Sequence, residues 1–180
     1  KTMETAVKTQ WSVDPTHSEV QFKVRHLVIS TVTGFFKKFN GTIEQNGEDF
    51  DGAKASFTIE TASVDTNMAD RDGHLRSEEF FDSENFENMT FEGTFSKKSE
   101  DSYTVKGNLT IKGTGKPVEL TAEYGGTMVD GYGQTKSGFE ISGKINRKEF
   151  GLNWSAVTEA GGVVVGDDVK LHLNLQFVKS

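Results

Sequence analysis

The sequence predicts an all-β protein: a closed, antiparallel, eight-stranded up-and-down barrel with one short helical crossover. Polar and apolar residues alternate with a period of two in eight segments, a pattern typical of strands with one buried and one solvated face. Turn signals rich in glycine, asparagine and aspartate separate these segments at near-regular spacing. Eight strands joined in this way favour a closed barrel, because closure removes the exposed edges of so long a sheet.

The composition is that of one domain without a nucleic-acid partner. The 180 residues fit a single barrel domain over residues 11–180, preceded by a polar leader over residues 1–10. A net charge of −7 with scattered lysines argues against binding to phosphate backbones. The chain has no cysteine and no apolar stretch that could span a membrane. Because it begins at Lys1 without an apolar leader, we expect a processed or trimmed product.

The strands follow in order along the chain. Residues 19–25 alternate first, and residues 39–43 and 53–60 follow, separated by an Asn46-Gly47 turn that predicts a hairpin. Four further alternating runs, at residues 89–95, 103–111, 118–124 and 139–145, come after the crossover. The last strand has the most regular pattern, with Val169, Leu171, Leu173, Leu175 and Phe177 on one face.

The crossover is the charged stretch 65–82, the only long segment that lacks strand alternation. Met68 and Leu75 are seven residues apart, so one short helix can turn both toward a core. Gly73 predicts that such a helix ends after a turn or two. Together with Phe80 and Phe81, these apolar residues predict a lid over one end of the barrel.

Glycine occupies the inward register between two large residues in four strands, at Gly41, Gly93, Gly107 and Gly143. One interpretation is architectural: each glycine marks a bulge or bend that allows a small barrel to close. The other is functional: positions without side chains leave a lumen, which in an eight-stranded barrel can hold one slender ligand. The remaining lining is apolar, so such a cavity would suit a hydrocarbon chain.

Three polar residues of the crossover are candidates for contact with a ligand head group. Arg71 and Arg76 could hold a phosphate, carboxylate or quinone oxygen at the mouth of the lumen. The alternative is that they form salt bridges with the neighbouring acidic residues. His74 could also face the head group, or it could hydrogen-bond within the loop.

No metal or catalytic site is predicted. His17 and His26 lie roughly 30 Å apart along a straight strand, too far for a shared ion, and His172 is on the polar register of the last strand. The stretch from Asp70 resembles a calcium loop but carries Phe81 at its twelfth position, where glutamate is required. The G-x-S-x-G, H-E-x-x-H and phosphate-loop patterns are all missing from the sequence.

Several segments together resemble the YceI-like, polyisoprenoid-binding family of bacterial barrels. They are residues 11–26 (WSVDPTHSEVQFKVRH), 34–36 (GFF), 71–75 (RDGHL) with 80–82 (FFD), 109–113 (LTIKG) and 146–152 (NRKEFGL). One departure is residues 85–89 (NFENM), which lack the proline expected after the aromatic residue. The resemblance implies a lipocalin-like barrel that takes up a long isoprenoid, in a periplasmic or secreted protein that pairs as a homodimer.

The preferred hypothesis is non-enzymatic binding, storage or transport of a long-chain isoprenoid or similar amphiphilic lipid, with no other cofactor; a quinone and a fatty amide are further candidate ligands. The predicted ligand-binding residues are Phe22, Val24, Phe39, Ile59, Met68, Arg71, His74, Leu75, Arg76, Phe80, Phe81, Phe91, Gly107 and Leu173. Two alternatives stay open. One is a hydrolase or isomerase that uses His74 with a nearby carboxylate, and the other is an extracellular structural or adhesive barrel with a filled core.

Overall fold

The computed structural model describes residues 8–26, 29–154 and 165–180. These residues form eleven β-strands, one α-helix and three short 3₁₀ turns. The strands are β1 Lys8–Val13, β2 Glu19–His26, β3 Ser30–Phe36, β4 Phe39–Asn46, β5 Lys54–Glu60, β6 Val64–Asp65, β7 Asn88–Lys97, β8 Ser102–Ile111, β9 Thr114–Val129, β10 Thr135–Asn146 and β11 Val165–Lys179. The helix is α1 Ala69–Arg76, and the 3₁₀ turns cover Pro15–His17, Thr61–Ser63 and Arg147–Phe150.

Eight antiparallel strands close the barrel in the order β1-β4-β5-β7-β8-β9-β10-β11, and β11 pairs back with β1. The closing contact is short, with Trp11 opposite Lys179 and Val13 opposite Phe177. On its other edge β1 pairs with β4, where Trp11 lies opposite Ile43. The predicted all-β, antiparallel, eight-stranded barrel with one short helix is therefore confirmed.

One edge of the long strand β11 pairs with two strands in succession, β2 and β1, so the sheet branches there. Its C-terminal residues pair with β1, whereas Val165 to Asn174 run beside β2. The turn at Pro15–His17 separates β1 from β2, so both stay on β11. Beyond β2 the sheet continues through β3, whose Phe36 lies opposite Val64 of β6. The branch β2-β3-β6 extends the wall next to α1.

Three strands were not predicted, namely β1, β3 and β6. The predicted leader ends inside β1, because Lys8 to Gln10 already pair with β4. The first predicted strand, β2, pairs with β11 and β3 and has no pairing with β4. Barrel closure therefore depends on a strand that begins in the polar N-terminal segment, where alternation is weak.

Aromatic side chains close one end of the barrel. Phe50, in the connection between β4 and β5, is 3% exposed and touches five rings at centroid distances of 4.9 to 6.3 Å. Its backbone N–H donates to the hydroxyl of Tyr103 at 3.3 Å. We call this cluster the aromatic floor; it consists of Trp11, Phe50, Phe95, Tyr103, Tyr124, Phe139 and Phe177. Phe50 lies before β5 and α1 lies after β5, so the aromatic floor and the helix are at opposite ends of the barrel.

Asp14 joins β1 to the β9–β10 hairpin. Its Oδ1 accepts from the hydroxyl of Thr16 at 2.7 Å, and its Oδ2 lies 2.8 Å from Nδ1 of His17. Lys136 donates to the same Oδ2 at 3.3 Å and also lies 3.4 Å from Asp130. These bonds, that from Thr16 above all and then that from His17, hold the pKa of Asp14 well below its ordinary value. The ionised carboxylate therefore stabilises the folded state.

Candidate functional site

A cavity of about 490 Å³ occupies the barrel between the aromatic floor and α1. Its volume lies within the range of small-molecule binding sites. Its wall is almost entirely apolar because the inward register of each contributing strand carries aliphatic or aromatic residues. The wall includes Phe22, Phe36, Ile43, Phe57, Ile59, Phe91, Phe95, Val105, Leu109, Leu120, Ile141, Leu171, Leu173, Leu175 and Phe177.

The crossover covers the other end of the cavity, as the lid prediction described. A buried carboxylate, Asp72, anchors α1 by accepting from both the backbone N–H and the hydroxyl of Thr66, at 2.8 and 2.5 Å. After the helix the chain turns back, and Phe81 N–H donates to the carbonyl of Leu75 at 3.0 Å. Phe81 packs edge-on against Phe36 at 5.6 Å and is buried. The lid is thus built from a two-turn helix and the aromatic pair that follows it.

Met68 contributes to this mouth in a different way from the aromatic residues. It stands immediately before α1, lines the cavity and is 54% exposed. An apolar side chain that touches both the cavity and the solvent marks the boundary between them. The predicted lid residue is therefore at the rim of the opening.

Arg71 lines the mouth, but its guanidinium is already engaged. Its Nε donates to the hydroxyl of Thr66 at 2.7 Å and its Nη2 to the Thr66 carbonyl at 2.8 Å. The predicted alternative of a salt bridge to a neighbouring acid is not found among the described residues. Arg76, also predicted at the mouth, is exposed and lies outside the cavity wall. Five helix positions after Arg71, it points roughly 140° away from it.

His74 is half-exposed and lies in an aromatic setting at the cavity rim. Its ring meets Phe80 edge-on at 5.0 Å and Trp154 edge-on at 4.8 Å. Its Nε2 lies 3.6 Å from Oε1 of Glu79. The loop hydrogen bonds at this position use the carbonyl of His74, which accepts from the backbone N–H and the hydroxyl of Ser77. The imidazole itself is therefore placed to contact whatever enters the mouth.

Arg147 is a cavity residue that the sequence analysis did not single out. Only 3% exposed, it donates to the carbonyls of Leu152, Trp154 and Gly166 at 2.6 to 2.8 Å. Burial lowers the pKa of Arg147 from its ordinary value, and Asp167, 3.8 Å away, acts in the opposite direction. In the sequence Arg147 stands between the polar residues Asn146 and Lys148, inside the segment 146–152 that carries the family resemblance. Structurally it is a cation in the wall near the mouth.

The four inward glycines do not leave empty positions. A Cβ atom at Gly41, Gly93 or Gly143 would lie 2.3 to 2.6 Å from the side chain of Phe57, Phe91 or Leu120, respectively. Each of these larger side chains is part of the cavity wall. The glycines let them lie against the sheet, an arrangement known as aromatic rescue where a ring covers a glycine. The lumen stays open because the wall residues lie flat.

Gly107, a predicted ligand-binding residue, lies at a close approach of two strands. It pairs directly with Gly93, and an added Cβ would lie 2.1 Å from the backbone oxygen of Glu92. Gly107 is also outside the cavity wall. A side chain there would separate β7 from β8.

Phe39 is the third predicted residue that lies outside the cavity wall. Its ring stacks on Phe57 at 5.8 Å, with 17° between the planes, and lines a crevice beside the Pro15–His17 turn. The other predicted residues all line the cavity, namely Phe22, Val24, Ile59, Met68, Arg71, His74, Leu75, Phe80, Phe81, Phe91 and Leu173. The structure therefore brings most of the predicted set together around one lumen.

The described residues hold no group of three or more His, Cys, Asp or Glu side chains arranged to bind a metal. Two histidines make simple pairs instead: His17 with Asp14, and His172 with Glu140 at 2.8 Å. Within the same described residues, no helix has the length and apolarity needed to cross a bilayer.

These features define a class of protein. An antiparallel eight-stranded barrel with a floor, a lid and an apolar cavity between them has the architecture of lipocalin-like ligand-binding barrels. A model of the YceI-like domain matches residues 11–177. The chain belongs to the YceI-like family, and the resemblance seen in the sequence is confirmed.

Individual relatives agree with this assignment. A UPF0312 protein of Staphylococcus epidermidis is 38% identical over 170 residues, which cover 94% of this chain and 97% of the relative. The crystal structure of the Campylobacter jejuni YceI protein is 33% identical, with a TM-score of 0.72 and coverage of 87% of this chain and 90% of that one. A polyisoprenoid-binding domain from Saccharophagus degradans, implicated in plant cell wall breakdown, has a TM-score of 0.65 at 16% identity, covering 94% and 98%. At this identity the last likeness shows the fold alone.

Proposed function

We propose that the protein binds a long-chain isoprenoid or a similar amphiphilic lipid in its lumen, and stores or carries it without chemical change. The observation that supports this proposal most directly is the apolar cavity of about 490 Å³ between the aromatic floor and the lid. Burial of a hydrocarbon contributes about 0.8 kcal/mol per methylene, less the cost of ordering a flexible chain. Affinity should therefore depend on chain length more than on the head group.

The distribution of polar groups gives the ligand a direction. Most side chains around the deep part of the lumen are apolar. The basic residues Arg25, His26, Arg71, His74 and Arg147 line the mouth end together with one acid, Asp70. A polar head group is stabilised where donors and charges are available and water can enter. The tail would therefore point to the aromatic floor and the head group would stay at the mouth. A quinone or a fatty amide would fit the same arrangement.

Localisation and assembly are part of this proposal and rest on the family. We propose a periplasmic or secreted protein that pairs as a homodimer. Cell fractionation and light scattering of the purified protein test these two points. A cytoplasmic monomer would contradict both and leave the ligand proposal intact.

A filled structural barrel agrees poorly with the cavity, but a catalytic role for His74 has one supporting observation, its 3.6 Å distance from Glu79. That distance exceeds a hydrogen bond, and no third group orients the pair among the contacts that the structure gives these side chains. His74→Ala separates the two functions. If the protein is a carrier, the His74→Ala variant should still bind lipid, with at most a few-fold weaker affinity. If it is an enzyme, the same variant should lose turnover.

The experiment that tests the proposal is mass spectrometry of the purified protein, under native conditions and after extraction into organic solvent. A stoichiometric adduct with the mass of a prenyl or other long-chain compound is the expected result, and its mass identifies the ligand. Protein that is empty and also fails to load isoprenols added from ethanol would rule the proposal out.

A further inference from the structure

Two aromatic side chains, Phe95 and Phe177, belong to both the cavity wall and the floor, and Phe95 is the one whose ring contacts Phe50. Phe95 of β7 lines the cavity, yet it is only 1% exposed. Rings behind it hold it in place: Phe139 at 5.5 Å, Tyr103 at 5.8 Å and Phe50 at 6.3 Å. Because each neighbour is itself buried, the ring of Phe95 has no space into which it can withdraw.

The depth of the lumen follows from the strands that line it. Lining residues run from His26 to Val20 on β2, opposite Val165 to Leu173 of β11, and then on to Phe177. The path counts six residue steps from His26 to Val20 on β2 and four from Leu173, which lies opposite Val20, to Phe177 on β11. Ten steps of about 3.3 Å, on strands tilted by about 40°, give a depth of roughly 25 Å along the barrel axis. An extended isoprene unit adds four chain bonds of about 1.5 Å, or roughly 5 Å of length. The lumen therefore accommodates about five units in an extended chain.

We propose that Phe95 sets the maximum length of tail that the lumen accepts, with Phe50 as the residue that positions it. This inference rests on the proposed function, because it concerns the same lumen. Units beyond about the fifth stay outside the mouth and add little affinity. Removal of the Phe95 ring would open space toward Phe50, whose ring centroid lies 6.3 Å from that of Phe95, and this separation is about the length of one isoprene unit.

The test compares isoprenols of three to eight units with the wild-type protein and with Phe95→Ala. Dissociation constants come from native mass spectrometry and from the fluorescence of Trp154, which lines the mouth. For the wild type we expect affinity to rise at least tenfold per unit, after the cost of ordering the chain is subtracted, and to level off near five units. For Phe95→Ala the same rise should continue for one more unit. Phe95→Leu, a smaller truncation, serves if the alanine variant does not fold.

Phe81→Ala is the matched control, because it removes an equally large ring from the mouth end of the same lumen. We expect it to weaken all chain lengths by a similar factor without moving the plateau. A wild-type affinity that keeps rising through seven units, or an unchanged plateau in Phe95→Ala and Phe95→Leu, would overturn the assignment. If the wild type bound no isoprenol of any length, the proposed function itself would fail.

Discussion

Replacement of Arg147 by methionine should destabilise the protein by about 3 kcal/mol. Arg147 joins the two sides of the mouth, because it donates to the carbonyls of Leu152 and Trp154 on one side and of Gly166 and Val165 on the other. Methionine has a similar length and no donor. The variant would therefore leave these carbonyls without their partner in a partly buried setting.

The magnitude follows from the number of short bonds. Three of the four are 2.6 to 2.8 Å long, and a hydrogen bond to a charged group contributes about 1.5–3 kcal/mol. The gross loss for three such bonds is then about 4.5–9 kcal/mol. Part of it is regained because methionine carries no charge that must be desolvated, which is the cost that lowers the pKa of Arg147. A net loss of about 3 kcal/mol is the result.

Urea unfolding at neutral pH measures this change, and Lys148→Met is the control. Lys148 is the next residue, lies 3.3 Å from the same Asp167 and is about half-exposed. Its replacement should cost less than about 1 kcal/mol, as for other surface ion pairs. A loss below 1 kcal/mol for Arg147→Met, or one equal to that of the control, would refute the argument that Arg147 organises the mouth.

Three further variants test other parts of the structure. Gly107→Ala should lower the free energy of unfolding by about 1–3 kcal/mol, because the added Cβ overpacks against β7. The control Gly131→Ala has open space around its Cβ position and should change the free energy of unfolding by less than about 0.5 kcal/mol. Equal effects of the two variants in urea unfolding would contradict the close packing at Gly107. Asp14→Asn should lower the free energy of unfolding by about 1 kcal/mol near pH 6. Because the pKa of Asp14 is lowered in the folded protein, this difference in stability from the wild type should narrow as the pH falls below about 4. A difference that stays constant between pH 6 and pH 2 would contradict this. Tyr103→Phe removes the acceptor of the Phe50 N–H and should lower stability by about 1 kcal/mol, with an unchanged melting temperature as the contrary outcome.

Much of the candidate site was predictable from local sequence. Alternation places Phe22, Ile59, Phe91 and Leu173 on the inward faces of their strands, and all four line the cavity. This works because successive side chains of a strand point to opposite faces. The same reasoning failed at Gly107, since the distance between two paired backbones is invisible in a pattern of polar and apolar residues.

The residues at the two ends of the lumen depended on contacts between distant segments. Phe50 lies in a connection between two acidic residues, where an aromatic side chain would ordinarily face solvent, yet it packs against rings from β1, β7, β8, β9 and β10. Arg147 has a role only because β11 brings Val165 and Gly166 beside it. Arg76 lies outside the cavity wall because of its angular position on α1.

The sequence by itself determined eight of the eleven strands, their inward faces, the short helical lid and membership of the YceI-like family, because these properties depend on neighbouring residues and on ordered motifs. Only the tertiary structure decided which strand closes the barrel, where the lumen ends and which cations line its mouth. The physical reason is that a cavity is the volume left over when side chains from many strands pack around one axis. That volume depends on their mutual distances, and no single segment of the chain contains them.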